Sequence, residues 1–107
     1  MKFTVGIEEV SEENPLRLMV AKQHGVGIYQ AGDDYYCIDD WCPHAGGYMT
    51  QGGPAEDMLA MCPIHGFEFE IHTGKCLQSA NFNVASYPVT RRGDKLVIQV
   101  EIDDPGS

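Results

Sequence analysis

The chain has 107 residues, 43% hydrophobic and 21% charged, a composition that fits one globular domain with its own core. A net charge of −9 argues against nucleic acid, which needs a clustered basic surface. No run approaches the roughly 18 apolar residues of a membrane span, and MKFTVGIEEV lacks the charged-then-apolar layout of a signal peptide. The expectation is a single domain over residues 1–107, cytoplasmic and without membrane contact.

In chain order, LRLMV (16–20) alternates, with Leu16, Leu18 and Val20 on one face of a strand. GVGIYQ (25–30) follows, and AGDD (31–34) reads as a hairpin turn into YYCI. FEFEI (67–71) sets Phe67, Phe69 and Ile71 on one side and Glu68 and Glu70 on the other. HTGK (72–75) makes a turn in which Gly74 supplies positive φ. YPVTR and KLVIQVEI flank a further hairpin around Gly93 and Asp94, and DDPGS is a frayed tail. No stretch has the periodicity of an amphipathic helix. Short strands at this spacing predict an all-β fold, an antiparallel sandwich or small barrel.

Chemistry concentrates in residues 42–67, CPHAGGYMTQGGPAEDMLAMCPIHGF. CPH supplies Cys42 and His44; CPIH supplies Cys62 and His65; the seventeen residues 45–61 lie between. Thiolate and neutral imidazole suit both iron and zinc. A structural zinc site usually groups like with like, as C-x2-4-C and H-x3-5-H. Here each loop offers one donor of each kind, which fits a two-iron cluster with sulfurs on one iron and imidazoles on the other. Zinc stays open as the competing metal.

These segments resemble the Rieske [2Fe–2S] signature. CPHAGG is similar to its first cluster loop, and CPIHGFEFEIHTGK to its second loop with the outgoing strand and turn. The resemblance is strongest over residues 38–75. It implies a Rieske-type sandwich or barrel carrying a cluster-binding subdomain of two loops. One [2Fe–2S] cluster would be held by Cys42 and Cys62 on the inner iron and by His44 and His65 on the outer, surface-facing one.

High-potential members of the family join an extra cysteine in each loop as a disulfide, and place a serine and a tyrosine hydroxyl beside the cluster. The matching positions here are Gly47 and Ile64 for the bridge and Phe67 and Phe69 for the hydroxyls. Both absences imply the low end of the roughly −150 to +300 mV range of such centres. That low-potential type is similar to the ferredoxin components of bacterial ring-hydroxylating oxygenase systems. The likeness implies a one-electron carrier between a flavin-containing, NAD(P)H-dependent reductase and a Rieske-type terminal oxygenase, a monomer docking transiently through its cluster tip. Such a carrier is not itself an oxygenase, which needs a second iron on a large further domain. The alternative is a small accessory subunit of an NAD(P)H nitrite reductase-like complex, a group that shares the fold.

Tyr48, Met49, Pro54 and Ile64 would form an apolar contact patch at the tip. LQSANFNVASYP lacks the proline-rich loop common in the family, which leaves Phe82 as a candidate cover for the cluster. Cys37 and Cys76 read as buried structural thiols, their pairing as a disulfide being disfavoured in a reducing compartment. His24 and His72 read as surface histidines, Trp41 as packing the base of the loop, and Asp39–Asp40 and Asp103–Asp104 as solvated acids. Gly66 is expected where the backbone leaves little space for a Cβ.

Overall fold

The structure is a computed structural model that describes residues 2–21, 24–42, 47–64 and 66–100. Nine strands are present among them: β1 (Lys2–Gly6), β2 (Leu16–Ala21), β3 (His24–Ala31), β4 (Asp34–Asp39), β5 (Leu59–Met61), β6 (Glu68–Glu70), β7 (Ser86–Tyr87), β8 (Val89–Arg92) and β9 (Lys95–Gln99). The helical segments described are 3-10 turns at Ile7–Glu9, Met49–Gly52 and Ala80–Phe82. None of the described helices is long and apolar enough to cross a membrane.

The strands form a three-stranded sheet β1-β9-β8, a four-stranded sheet β2-β3-β4-β7 and a hairpin β5-β6, and every pairing is antiparallel. Turns fall where the sequence places them, Gly32–Asp33 between β3 and β4 and Gly93–Asp94 between β8 and β9. YPVTR behaves differently from a single strand. Pro88 lacks an N–H and interrupts the ladder. Ser86–Tyr87 therefore pairs with β4, and Val89 onward pairs with β9 on the other sheet.

The four-stranded sheet is packed on both faces. Val26 and Ile28 of β3, with Cys37 of β4, join Val5, Val20, Leu96, Ile98 and Val100 in a core between the two larger sheets. Tyr29 and Ile38, pointing the opposite way, join Cys42, Met49, Ala60, Cys62, Phe69, Ile71 and Cys76 in a second core. Side chains alternate across a strand, so one residue's shift along β3 or β4 switches cores. Two-sided burial explains why GVGIYQ is a nearly continuous apolar run and not an alternating one. A buried Ile28 contributes about 1.5–3 kcal/mol relative to exposure. Cys37 and Cys76 are buried free thiols in different cores, as the structural-thiol reading expects.

Candidate metal centre

Both cysteines of the motif enter the second core fully buried. β4 delivers the first loop: the Cys42 N–H donates to the Gly47 carbonyl at 2.8 Å. β5 delivers the second: the Cys62 N–H donates to the Phe67 carbonyl at 2.8 Å. Each bond spans five residues, so the two loops are closed in the same way, and each closed segment contains one motif histidine in sequence. The Gly66 N–H donates to the Cys62 carbonyl at 2.9 Å, tightening the second loop. Gly66 has φ +72°, and among the described residues a Cβ there would meet only Met61 Sδ, at 3.9 Å. The positive φ by itself calls for glycine, and the described residues do not crowd the position.

The loops abut. A Cβ on Gly47 would lie 3.3 Å from Cys62 Sγ and 2.9 Å from Ile64 Cδ1. Residue 47 of the first loop is thus set against both the thiol and the isoleucine of the second. Ile64 occupies the space beside Gly47, the two positions that the family's disulfide would join. His44 and His65 lie outside the described residues, as do Pro43 and Gly46. Among the described residues no group of three His, Cys, Asp or Glu forms a metal site. The donor chemistry fits the implied group: two thiols in one apolar core would suit an iron pair, since a thiolate buried there needs a cation beside it.

Several side chains around the loops depart from the sequence reading. Asp40 is not a solvated acid but is 1% exposed. Its Oδ1 accepts from the Thr50 N–H at 2.7 Å, and Oδ2 accepts from Thr50 Oγ1 at 2.7 Å and Arg17 Nε at 3.0 Å. Burial pushes the Asp40 carboxyl up, while the Thr50 hydrogen bonds and Arg17 pull it down. Asp39 is partly buried too: its Oδ1 lies 2.7 Å from His24 Nε2 and accepts from the Tyr87 hydroxyl at 2.6 Å. His24 is therefore a member of a polar network and not a plain surface histidine. His72 is exposed, with its ring edge-on to Tyr36 at 6.3 Å. Asp103 and Asp104 lie outside the described residues.

Trp41 does not pack the loop base; it is 52% exposed and meets Tyr48 edge-on at 5.6 Å. Met49, expected at the contact patch, is fully buried in the second core. Pro54 and Ile64 are exposed as expected, and Tyr48 is half-buried beneath the Arg17 guanidinium, 3.7 Å from its ring centroid. Phe82 packs against Phe67 with centroids 5.8 Å apart, so it covers the residue that closes the second loop. An open groove of about 650 Å³ runs beside the first loop, lined by Arg17, His24, Asp39, Trp41 and Tyr48 among others. Tyr29, in the second core, has a hydroxyl with no hydrogen-bond partner among the described residues. Burial pushes its ionisation far above the ordinary tyrosine range, with Asp40 and Cys37 adding to the effect.

A buried pair of cysteines on two matched loops, carried by an all-β sandwich, defines the class. The profile of the Rieske [2Fe–2S] domain matches residues 3–88, and the chain belongs to that family. Its cofactor is a Rieske-type [2Fe–2S] cluster, and its role is that of an electron carrier. The chain is 28% identical, over 104 residues and 96% of each protein, to the 3-phenylpropionate/cinnamic acid dioxygenase ferredoxin subunit of Escherichia coli (strain K12). The ferredoxin of carbazole 1,9a-dioxygenase from Nocardioides aromaticivorans IC177 shares its fold, with a TM-score of 0.81 at 24% identity, covering 92% of this chain and 95% of that one. Dicamba monooxygenase matches with a TM-score of 0.81 at 27% identity, covering all of this chain and 37% of that one.

Proposed function

We propose that Cys42, His44, Cys62 and His65 hold the cluster, with the two cysteines on the inner iron and the two histidines on the outer. The observation that carries this is the convergence of Cys42 and Cys62 in one apolar core, each in a loop closed five residues on. When bound, a centre of this kind takes up and returns one electron. The chain's own residues exclude water from the sulfur side through Met49, Ala60 and Phe69, all fully buried. Phe67 and Phe69 have no hydroxyl to donate to a reduced cluster, and Ile64 fills the place of a bridge. These features support the low-potential type.

On this reading residues 1–107 form one Rieske domain whose cluster loops span about 38–75. The protein is a cytoplasmic monomer that takes electrons from a flavin-containing, NAD(P)H-dependent reductase and passes them to a Rieske-type terminal oxygenase. Trp41, Met61 and Ile64, large apolar side chains left about half exposed, supply the rim for transient docking at the cluster tip. The likeness to dioxygenase ferredoxin subunits supports the oxygenase as the acceptor. EPR of the dithionite-reduced protein, with iron and acid-labile sulfide counts, tests the assignment. Two irons and two sulfides per chain with a Rieske-type signal are expected; material made with ample iron yet free of inorganic sulfide overturns it.

A further inference from the structure

We propose that Asp40 is a positioning residue for the first cluster loop, its buried carboxylate clamping the loop closed and holding the cluster's reduction potential down. This rests on the reading of Cys42 as a ligand.

Asp40 meets both ends of the loop. On the entry side it lies two residues before Cys42, so their Cα atoms are within about 7 Å. On the exit side its carboxylate takes both the N–H and the hydroxyl of Thr50, at 2.7 Å each, and its carbonyl accepts from the Met49 N–H at 3.3 Å. Its own N–H donates to the Gly25 carbonyl at 3.0 Å, which fixes the clamp to β3. A single side chain thus joins the start and the end of the segment carrying Cys42 and His44 and ties both to the rigid sheet. Hydrogen bonds to a charged group are roughly twice as strong as neutral ones, which suits a clamp.

The charge matters as well. Asp40 is 1% exposed, whereas its partner Arg17 is 36% exposed. The guanidinium, over the Tyr48 ring at 3.7 Å and open to water, is screened more than the carboxylate and offsets its charge only in part. A negative field opposes the arrival of an electron.

The test uses the loaded protein in three variants. Asp40→Asn keeps the size but loses the charge; Thr50→Val keeps the charge but loses one clamp bond; Ile28→Val loosens the remote sandwich core alone. Wild type containing iron and sulfide secures the underlying reading independently of the outcome. The expected result is a raised potential and altered EPR g-values in Asp40→Asn at full iron content. Thr50→Val is expected to give broadened EPR lines with a smaller change in potential, and Ile28→Val to move neither. An unchanged potential and EPR signal in loaded Asp40→Asn overturns the proposal. Should that variant fail to load, an unbroadened Thr50→Val signal overturns it instead.

Discussion

Replacing Gly74 by alanine probes how the second loop is braced. Gly74 is buried at φ +80°, its N–H donates to the Glu70 carbonyl at 2.7 Å, and its carbonyl accepts from the Val84 N–H at 2.8 Å. An alanine Cβ would collide with the Val84 carbonyl oxygen and lie 2.9 Å from its carbon. Both atoms are backbone and cannot swing aside. The left-handed conformation costs an alanine about 1–2 kcal/mol. Relieving the collision parts residues 74 and 84 and forfeits their hydrogen bond, about 1–2 kcal/mol with Gly74 buried and Val84 partly so. A total near 3 kcal/mol corresponds to a Tm lower by about 12–24 °C in a domain of this size. Gly93→Ala is the control: φ is +62° but none of the described residues has an atom within 4 Å of the added Cβ, so only the conformational cost applies. Circular-dichroism melts of the two loaded variants, run side by side, make the comparison. If Gly74→Ala melts no lower than Gly93→Ala, the reasoning from close approach fails.

Tyr29→Phe removes a buried hydroxyl that has no partner among the described residues, and should leave neutral-pH stability unchanged or raised by about 1 kcal/mol. The same variant tests alkaline behaviour. The folded Tyr29 ionises above its unfolded value of 10.0, so its contribution is complete below about pH 10 and lost as pH rises beyond it. The wild type should lose about 1.4 kcal/mol per pH unit more steeply there than Tyr29→Phe, read from urea midpoints; equal slopes would contradict the assignment. Tyr87→Phe deletes the hydroxyl that donates to Asp39 Oδ1 at 2.6 Å, and should cost about 1–2 kcal/mol in urea denaturation. His44→Ala and His65→Ala should each abolish the Rieske-type spectrum, and two unchanged spectra would remove both histidines from the ligand set.

Much of this architecture is legible in the sequence because turns announce themselves chemically. Gly32–Asp33 and Gly93–Asp94 mark their hairpins, and Gly74 its positive φ. The motif cysteines are legible because donors at fixed loop spacing have few other uses. β1 and β5 are not legible: KFTVG and LAM are too short to display a period, and they become strands only by pairing with β9 and β6. Side-chain roles in the loops fare worst. Loops have no repeat that tells inside from outside, so Trp41 and Met49 exchange the places expected of them. Asp40 looks like half of a solvated acid pair because its partners, Arg17 and Thr50, come from other parts of the chain. His24 likewise meets Tyr87, sixty-three residues away, only after β7 has joined β4.

A sheet lined on each side by a separate interior has a bearing on biosynthesis. Neither Cys42 nor Cys62 contributes to the interior between the two larger sheets, so that half of the molecule can assemble while iron is scarce. The newly made chain can then wait as a partly finished scaffold, with metallation as the closing step. Amide hydrogen exchange on metal-free protein would register this as slow exchange at Ile28 and Ile98 beside fast exchange at Cys62 and Phe69.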